Sequence, residues 1–209
     1  ETLKTAKKKF PTTYHIPYYY GLLYSEKNEY HKAIASFADA ETLAAEMPES
    51  TKLDARFYFY YGAACERAGD LQRAAPLFQK SIQLDPEDPA AFNYLGFMWA
   101  DKNVHLEEAL DLIQKAVKME PDNGAYVDSL GWVLFRLGRN DEALVQLRRA
   151  SELMKDDPTV LGHLADVLLK LGKTDEAFTV LSHAKQVDPN NKEISEKLQK
   201  LKGNQSAAH

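Results

Sequence analysis

The chain has 209 residues, 44% apolar and 27% charged, a balance that excludes overall disorder. Lys and Arg number 26 against 31 Asp and Glu, a net charge of −5, so the basic excess that displaces counterions from phosphates is missing and no nucleic-acid partner is expected. The single cysteine, Cys65, excludes an internal disulfide and any CxxC metal or redox motif.

One sequence period recurs through the whole chain. In residues 1–11, Leu3, Ala6 and Pro11 match the closing slots of a later repeat (Phe78, Ser81, Pro86), so the chain is expected to begin with the end of a truncated upstream repeat. Residues 14–54 carry Tyr20-Gly21-x-x-Tyr24, Ala33, Phe37 and Ala40; Gly21 to Gly62 is 41, which puts about seven extra residues around Ala45 to Lys52 and extends the second helix. Residues 55–88, 89–123, 124–157 and 158–191 follow, with Gly62, Gly96, Gly131 and Ala165 at spacings of 34, 35 and 34. Each leads to an alanine (Ala74, Ala109, Ala143, Ala177), then an apolar residue (Phe78, Ile113, Leu147, Leu181), then a small one (Ser81, Ala116, Ala150, Ala184). Pro86, Pro121 and Pro189 close three repeats, and the fourth proline comes late, at Pro158. In residues 192–202, Ile194, Leu198 and Leu201 share one face and predict a capping helix, with 203–209 read as a disordered tail.

Apolar spacing such as Phe92, Leu95, Gly96 and Trp99 makes each repeat two antiparallel helices. Asn28, Gly69, Gly138 and Gly172 suit the left-handed residue that closes a first helix. Asn140 and Thr174 are expected to cap second helices. A glycine within a helix costs about 1 kcal/mol, so Gly21, Gly62, Gly96 and Gly131 imply close helix approach, with the small residues Ala33, Ala74, Ala109 and Ala143 opposite.

The third repeat reads Phe92-x-x-Leu95-Gly96-x-x-Trp99, Ala109-x-x-x-Ile113, Ala116 and Pro121. This pattern resembles the tetratricopeptide (TPR) family, over residues 1 to about 202. The resemblance implies an all-α fold, a right-handed superhelical α-solenoid of antiparallel helix pairs ending in a capping helix. Ala100-Asp101-x-x-x-x-Leu106-x-Glu108-Ala109, followed by Asp128-Ser129-Leu130-Gly131-Trp132-Val133, resembles the C-terminal repeats of bacterial TPR proteins, including envelope lipoproteins. Some of those are adaptors for carboxyl-terminal processing proteases. The expected setting is a bacterial cytoplasm or periplasm, with a lipoprotein-type parent among the options. No apolar run approaches the ~18 residues of a membrane span, and the lysines of the first nine residues lack the apolar stretch of a signal peptide.

Catalytic chemistry is not expected. Gly172-Lys173-Thr174 mimics the end of a phosphate loop, but Val167 stands where the motif needs its first glycine. The six histidines lack metal spacing; His163 and His183 share a repeat, and each reads better as a hydrogen-bonded structural residue. Glu107-Glu108, Asp141-Glu142 and Asp175-Glu176 recur at one register, at the first turn of second helices, where they favour the macrodipole. No catalytic residue, cofactor or metal is assigned.

In the family, function sits on the concave face lined by the first helices. The matching slots give Arg56, Phe59 and Arg67 in the second repeat and Asn93 and Phe97 in the third. The fourth supplies Asp128, Trp132, Phe135 and Arg136, and the fifth His163, Asp166 and Lys170. Aromatic residues interleaved with Arg and Asp have an interface composition; the alternative is that Trp132 or Phe135 simply packs on a neighbouring helix. The lysines and asparagines of the family's chaperone-tail clamp and its asparagine ladder are replaced at their slots. The expected function is a noncatalytic scaffold or adaptor binding a peptide segment or partner protein. Alternatives are a positioning arm of a larger enzyme, or self-association into a homo-oligomer through the tyrosine-rich front (Tyr18, Tyr19, Tyr20, Tyr24).

Overall fold

The structure, a computed structural model, describes residues 13–47 and 53–206, with side chains to Leu201. The expected upstream-repeat end at 1–11, residues 48–52 of the insertion and residues 207–209 of the expected tail lie outside the described residues. Among the described residues are eleven helices and no strand: α1 (His15–Glu26), α2 (Tyr30–Ala45), α3 (Ala55–Arg67), α4 (Leu71–Leu84), α5 (Pro89–Asp101), α6 (Leu106–Met119), α7 (Gly124–Arg136), α8 (Asn140–Leu153), α9 (Pro158–Lys170), α10 (Thr174–Val187) and α11 (Lys192–Ser206). None is long and apolar enough to cross a membrane. The chain divides into two compact units, residues 1–91 and 92–209.

In the N-terminal unit α1 pairs with α2 and α3 with α4. The core is aromatic: Phe37, Phe57 and Phe78 are at most 1% exposed, and Phe37 meets Phe57 edge-on at 5.7 Å. Cys65 is buried with them, and burial pushes its thiol up to about 11. Ser81, in a slot where later repeats have alanine, is buried and donates from Oγ to the Ala55 carbonyl at 2.8 Å.

In the C-terminal unit α7 pairs with α8 and α9 with α10, while α6 lies on α7, α8 on α9 and α11 on α10. Val127, Val133, Leu147, Val167 and Leu181 are shielded from solvent. Ile194 and Leu201 seat α11 against Leu161, Ala165, Leu181 and Ala184, as expected of a cap. The helix continues to Ser206, so 203–206 are helical rather than tail. Gln199 stands one period after Ala165 and is exposed, because no further described helix crowds that slot.

Close helix approach is borne out, with a change of main partner. A Cβ on Gly131 would stand 2.5 Å from Leu147 Cγ, one on Gly96 2.6 Å from Ile113 Cγ1, and one on Gly21 2.6 Å from Phe37 Cε1. The glycine notch receives the large residue four positions beyond the expected alanine, and at Gly96 the expected alanine as well, the Ala109 carbonyl oxygen standing 2.9 Å from the added Cβ. The alanines are buried beside it.

The turns repeat to the hydrogen bond. Asn28, Gly69, Asn103, Gly138 and Gly172 all have positive φ, between 57° and 82°. After each, a backbone N–H reaches back five residues: Glu29 to Tyr24, Asp70 to Cys65, Val104 to Trp99, Arg139 to Leu134 and Lys173 to Leu168, at 2.8–3.0 Å. The extra residue of the third repeat appears as His105, a second left-handed residue (φ 48°) that lies against Trp99.

Two cap expectations are corrected. Asn140 and Thr174 are the first helical residues, and the N-caps Arg139 and Lys173 make no side-chain cap bond. Each instead pairs with a glutamate three residues on, Glu142 or Glu176. Most side-chain caps belong to the first helices: Asp54, Asp88, Asn123 and Asp157 each accept from a backbone N–H two or three residues on, and Asn191 does the same for α11. Among the second helices Asp70 caps α4, accepting from the Arg73 N–H at 3.2 Å. Pro158 is the first residue of α9, as Pro89 is of α5, and so launches a helix rather than closing a repeat late.

Candidate functional site

In the C-terminal unit the first-helix slots converge on one side-chain cluster. Asp128 of α7 is 6% exposed, and both its carboxylate oxygens lie 3.0 Å from His163 Nδ1 on α9. An ionised carboxylate only accepts, so Nδ1 carries the donated proton and the ring is held in one orientation. Trp132, one turn beyond Asp128, stacks on that ring with centroids 4.3 Å apart and planes 21° apart. Phe135 adjoins Trp132 at 5.4 Å, and Phe97 of α5 meets His163 at 6.5 Å. Arg136 lies over the indole, 5.5 Å from its centroid, and donates from Nε to Asn103 Oδ1 at 3.3 Å.

Two polar groups on these helices are unsatisfied. The Trp132 indole N–H and the Asn93 side-chain oxygen are buried with no hydrogen-bond partner among the described residues. Such a group costs about 1–3 kcal/mol relative to one that is paired.

Beside this cluster Lys197 of α11 bridges Asp166 and Glu193, at 2.8 Å each. Burial works against the Lys197 ammonium, but the two carboxylates outweigh it and its pKa is raised; Glu193 is held below its ordinary value by the Lys197 hydrogen bond. Lys197 stands one period after His163, so continuing the pattern one step would have revealed it. Asn103 was missed because its side chain acts from the turn, outside the first-helix slots.

The structure thus brings Phe97, Asp128, Trp132, Phe135, Arg136 and, through α11, Asp166 into one region. Asn93 and Asp128 are buried, and Trp132, Phe135 and Arg136 are half-buried. In the N-terminal unit Arg56 and Arg67 are exposed, Arg67 pairing with Glu66 at 3.4 Å. Phe59 is half-buried against Phe78, with centroids 5.8 Å apart, and neighbours the exposed Tyr60. A cavity of about 190 Å³ there is lined by Tyr14, His15, Tyr18, Leu53, Asp54 and Phe57. Burial, and then the charge of Asp54, push the Tyr18 hydroxyl up to about 12.

His163 and His183 do not meet; His183 lies 2.9 Å from Asp156. The recurrent acidic pairs occupy the first turns of α6, α8 and α10. Gly172 is a turn glycine between two helices, with φ 73°. Among the described residues no three His, Cys, Asp or Glu side chains are grouped to hold a metal ion.

No curated protein matches the sequence. Solved structures share the fold at low identity. The Cut9–Hcn1 hetero-tetramer of the APC/C matches with a TM-score of 0.77 and 20% identity over 95% of this chain and 38% of that one. A TPR protein of Thermus thermophilus, TTC0263, gives 0.72 and 18% over 90% and 98%. YrrB, a TPR protein with an unusual peptide-binding site, gives 0.66 and 19% over 95% and 98%. The family model for the tetratricopeptide repeat matches residues 8–187. With its helix pairs, its glycine notches and this match over most of its length, the chain belongs to the tetratricopeptide repeat family.

Proposed function

We propose that the protein is a noncatalytic interaction module whose C-terminal unit holds a segment of a partner protein against α5, α7 and α9. The observation that carries this reading is the Trp132–His163 stack, fixed from beneath by the buried Asp128. A half-buried tryptophan beside an arginine is the composition that dominates interface energies, and a clamped imidazole keeps the indole rigid before any ligand arrives, lowering the ordering cost of binding. YrrB, similar in fold, is described by its peptide-binding site, which supports a peptide-sized ligand.

The test is selection of peptides from a random dodecapeptide library on the whole chain. Selected peptides should lose about 2 kcal/mol or more of affinity to the Trp132→Ala, Arg136→Ala double variant. They should keep their affinity for Val145→Glu, on the exposed side of α8. Equal binding by wild type and double variant would remove this face from the account.

A further inference from the structure

Resting on that reading, we infer that the partner segment presents an Asp or Glu carboxylate, beside an apolar residue, to Arg136 and the indole N–H of Trp132. The inference comes from what the cluster's own pairing leaves over. Each of its acids has a partner: Asp128 has His163, Asp101 has Lys102 at 2.9 Å, and Asp166 and Glu193 share the one ammonium of Lys197. Not all of its donors do. Arg136 has no carboxylate partner among the described residues, only the neutral Asn103 oxygen at 3.3 Å. Lys170, one repeat further on, is exposed and makes no ion pair among the described residues. The indole N–H of Trp132 is buried and unpartnered.

Apart from the Asn93 oxygen, the groups left without a partner of opposite charge or an acceptor are therefore donors, two of them cations, and the group complementary to Arg136 and the indole N–H is an acceptor carrying negative charge. A carboxylate accepts only, offers about four lone-pair sites and takes a guanidinium through two parallel bonds. Arg136 is also the movable neighbour of the indole: it covers the ring face and is tethered by one bond near the long limit for N–H···O. A carboxylate that draws the guanidinium away from Asn103 uncovers the indole, whose N–H is buried and unpaired. The rings of Trp132, Phe135 and Phe97 supply the apolar contact alongside. Nucleic-acid phosphates would also accept, but the chain's net charge of −5 opposes a polyanion.

The same peptide selection tests this through composition. Asp or Glu should be enriched at least threefold over the starting library at one position next to apolar residues. For the best peptide, Glu→Gln (or Asp→Asn) should weaken binding to the wild type at least tenfold, but less than threefold to Arg136→Gln. Trp132→Phe, which keeps a ring and removes the N–H, should weaken the acidic peptide at least threefold and its amide version less. The peptide substitution alters nothing in the protein, so it decides the matter even if a variant misfolds. Peptides that depend on Trp132 and Arg136 but show no acidic preference would overturn the carboxylate and leave the groove standing. A selection yielding no groove-dependent peptide would overturn both. A 20-nucleotide single-stranded DNA that binds as tightly as the best peptide would assign the donors to phosphate and overturn the proposal.

Discussion

Gly131→Ala isolates the packing that makes these repeats. The added Cβ would stand 2.5 Å from Cγ and 2.9 Å from Cδ2 of Leu147, and 3.2 Å from its backbone nitrogen. Carbon–carbon contacts relax near 3.5–4.0 Å, so the leucine must retreat by about an ångström. Leu147 has no exposed surface into which to move. Overpacking of this kind costs about 1–3 kcal/mol, while alanine's helix preference returns about 1 kcal/mol. With so short a contact the net expectation is a loss of about 1–2 kcal/mol. On a Leu147→Ala background the Cγ and Cδ2 contacts are gone and the 3.2 Å approach to the backbone nitrogen remains, so Gly131→Ala should then be neutral or stabilise by up to about 1 kcal/mol, a coupling of roughly 1–3 kcal/mol. The assay is urea unfolding of the four proteins followed by circular dichroism, with native-state hydrogen exchange because repeats need not unfold together. A Gly131→Ala protein as stable as wild type, or a cost that persists without Leu147, would refute the notch.

Gly162→Ala makes the opposite prediction. Beyond its chain neighbours and the backbone of its own helix, no described atom lies within 4 Å of the added Cβ, so the variant should gain about 0.5–1 kcal/mol in the same unfolding assay. Removing the Asp157 cap, which accepts from Thr159 and Val160 at 2.9 and 3.1 Å, should cost about 0.5–2 kcal/mol, with Asp157→Asn nearly neutral. Cys65, buried and with its thiol pushed up to about 11, should react with a thiol reagent at pH 8 only as fast as its region opens. The attachment of α11 should depend on pH at both extremes. The lowered Glu193 carboxyl stabilises above its ordinary 4.5 and loses that contribution as pH falls through its folded value. The raised Lys197 ammonium stabilises below its ordinary 10.5 and loses it as pH rises through its folded value. Amide exchange in 192–201 should therefore accelerate below about pH 4.5 after correction for intrinsic rates, and Lys197→Met should abolish that acceleration.

Most of the fold was legible because its signals are local and recur. A glycine that would clash, an alanine at a near-constant offset beyond it and a left-handed turn residue each have one physical cause repeated at one register. What the period left unread was chosen by contacts between repeats. Asp128 and His163 were both visible as groove slots, yet their separation along the chain carries no sign that one orients the other. The N-caps were misplaced by one residue because Asn140 and Thr174 are capping types by composition, while Arg139 and Lys173 end the preceding turn through the bonds to Leu134 and Leu168. Lys197 was missed because a helix rich in Lys and Glu reads as a solvated cap until Asp166 is found beneath it.

The chain contains two tryptophans, Trp99 and Trp132, so the indole N–H region of a ¹⁵N-correlation spectrum reads the proposed site almost alone. On titration with the best selected acidic peptide, the Trp132 indole N–H should shift downfield as it gains an acceptor, together with the Arg136 Nε–H, while the Trp99 indole signal stays in place. A peptide that binds while Trp132 remains fixed and residues of the N-terminal unit move would contradict the central claim.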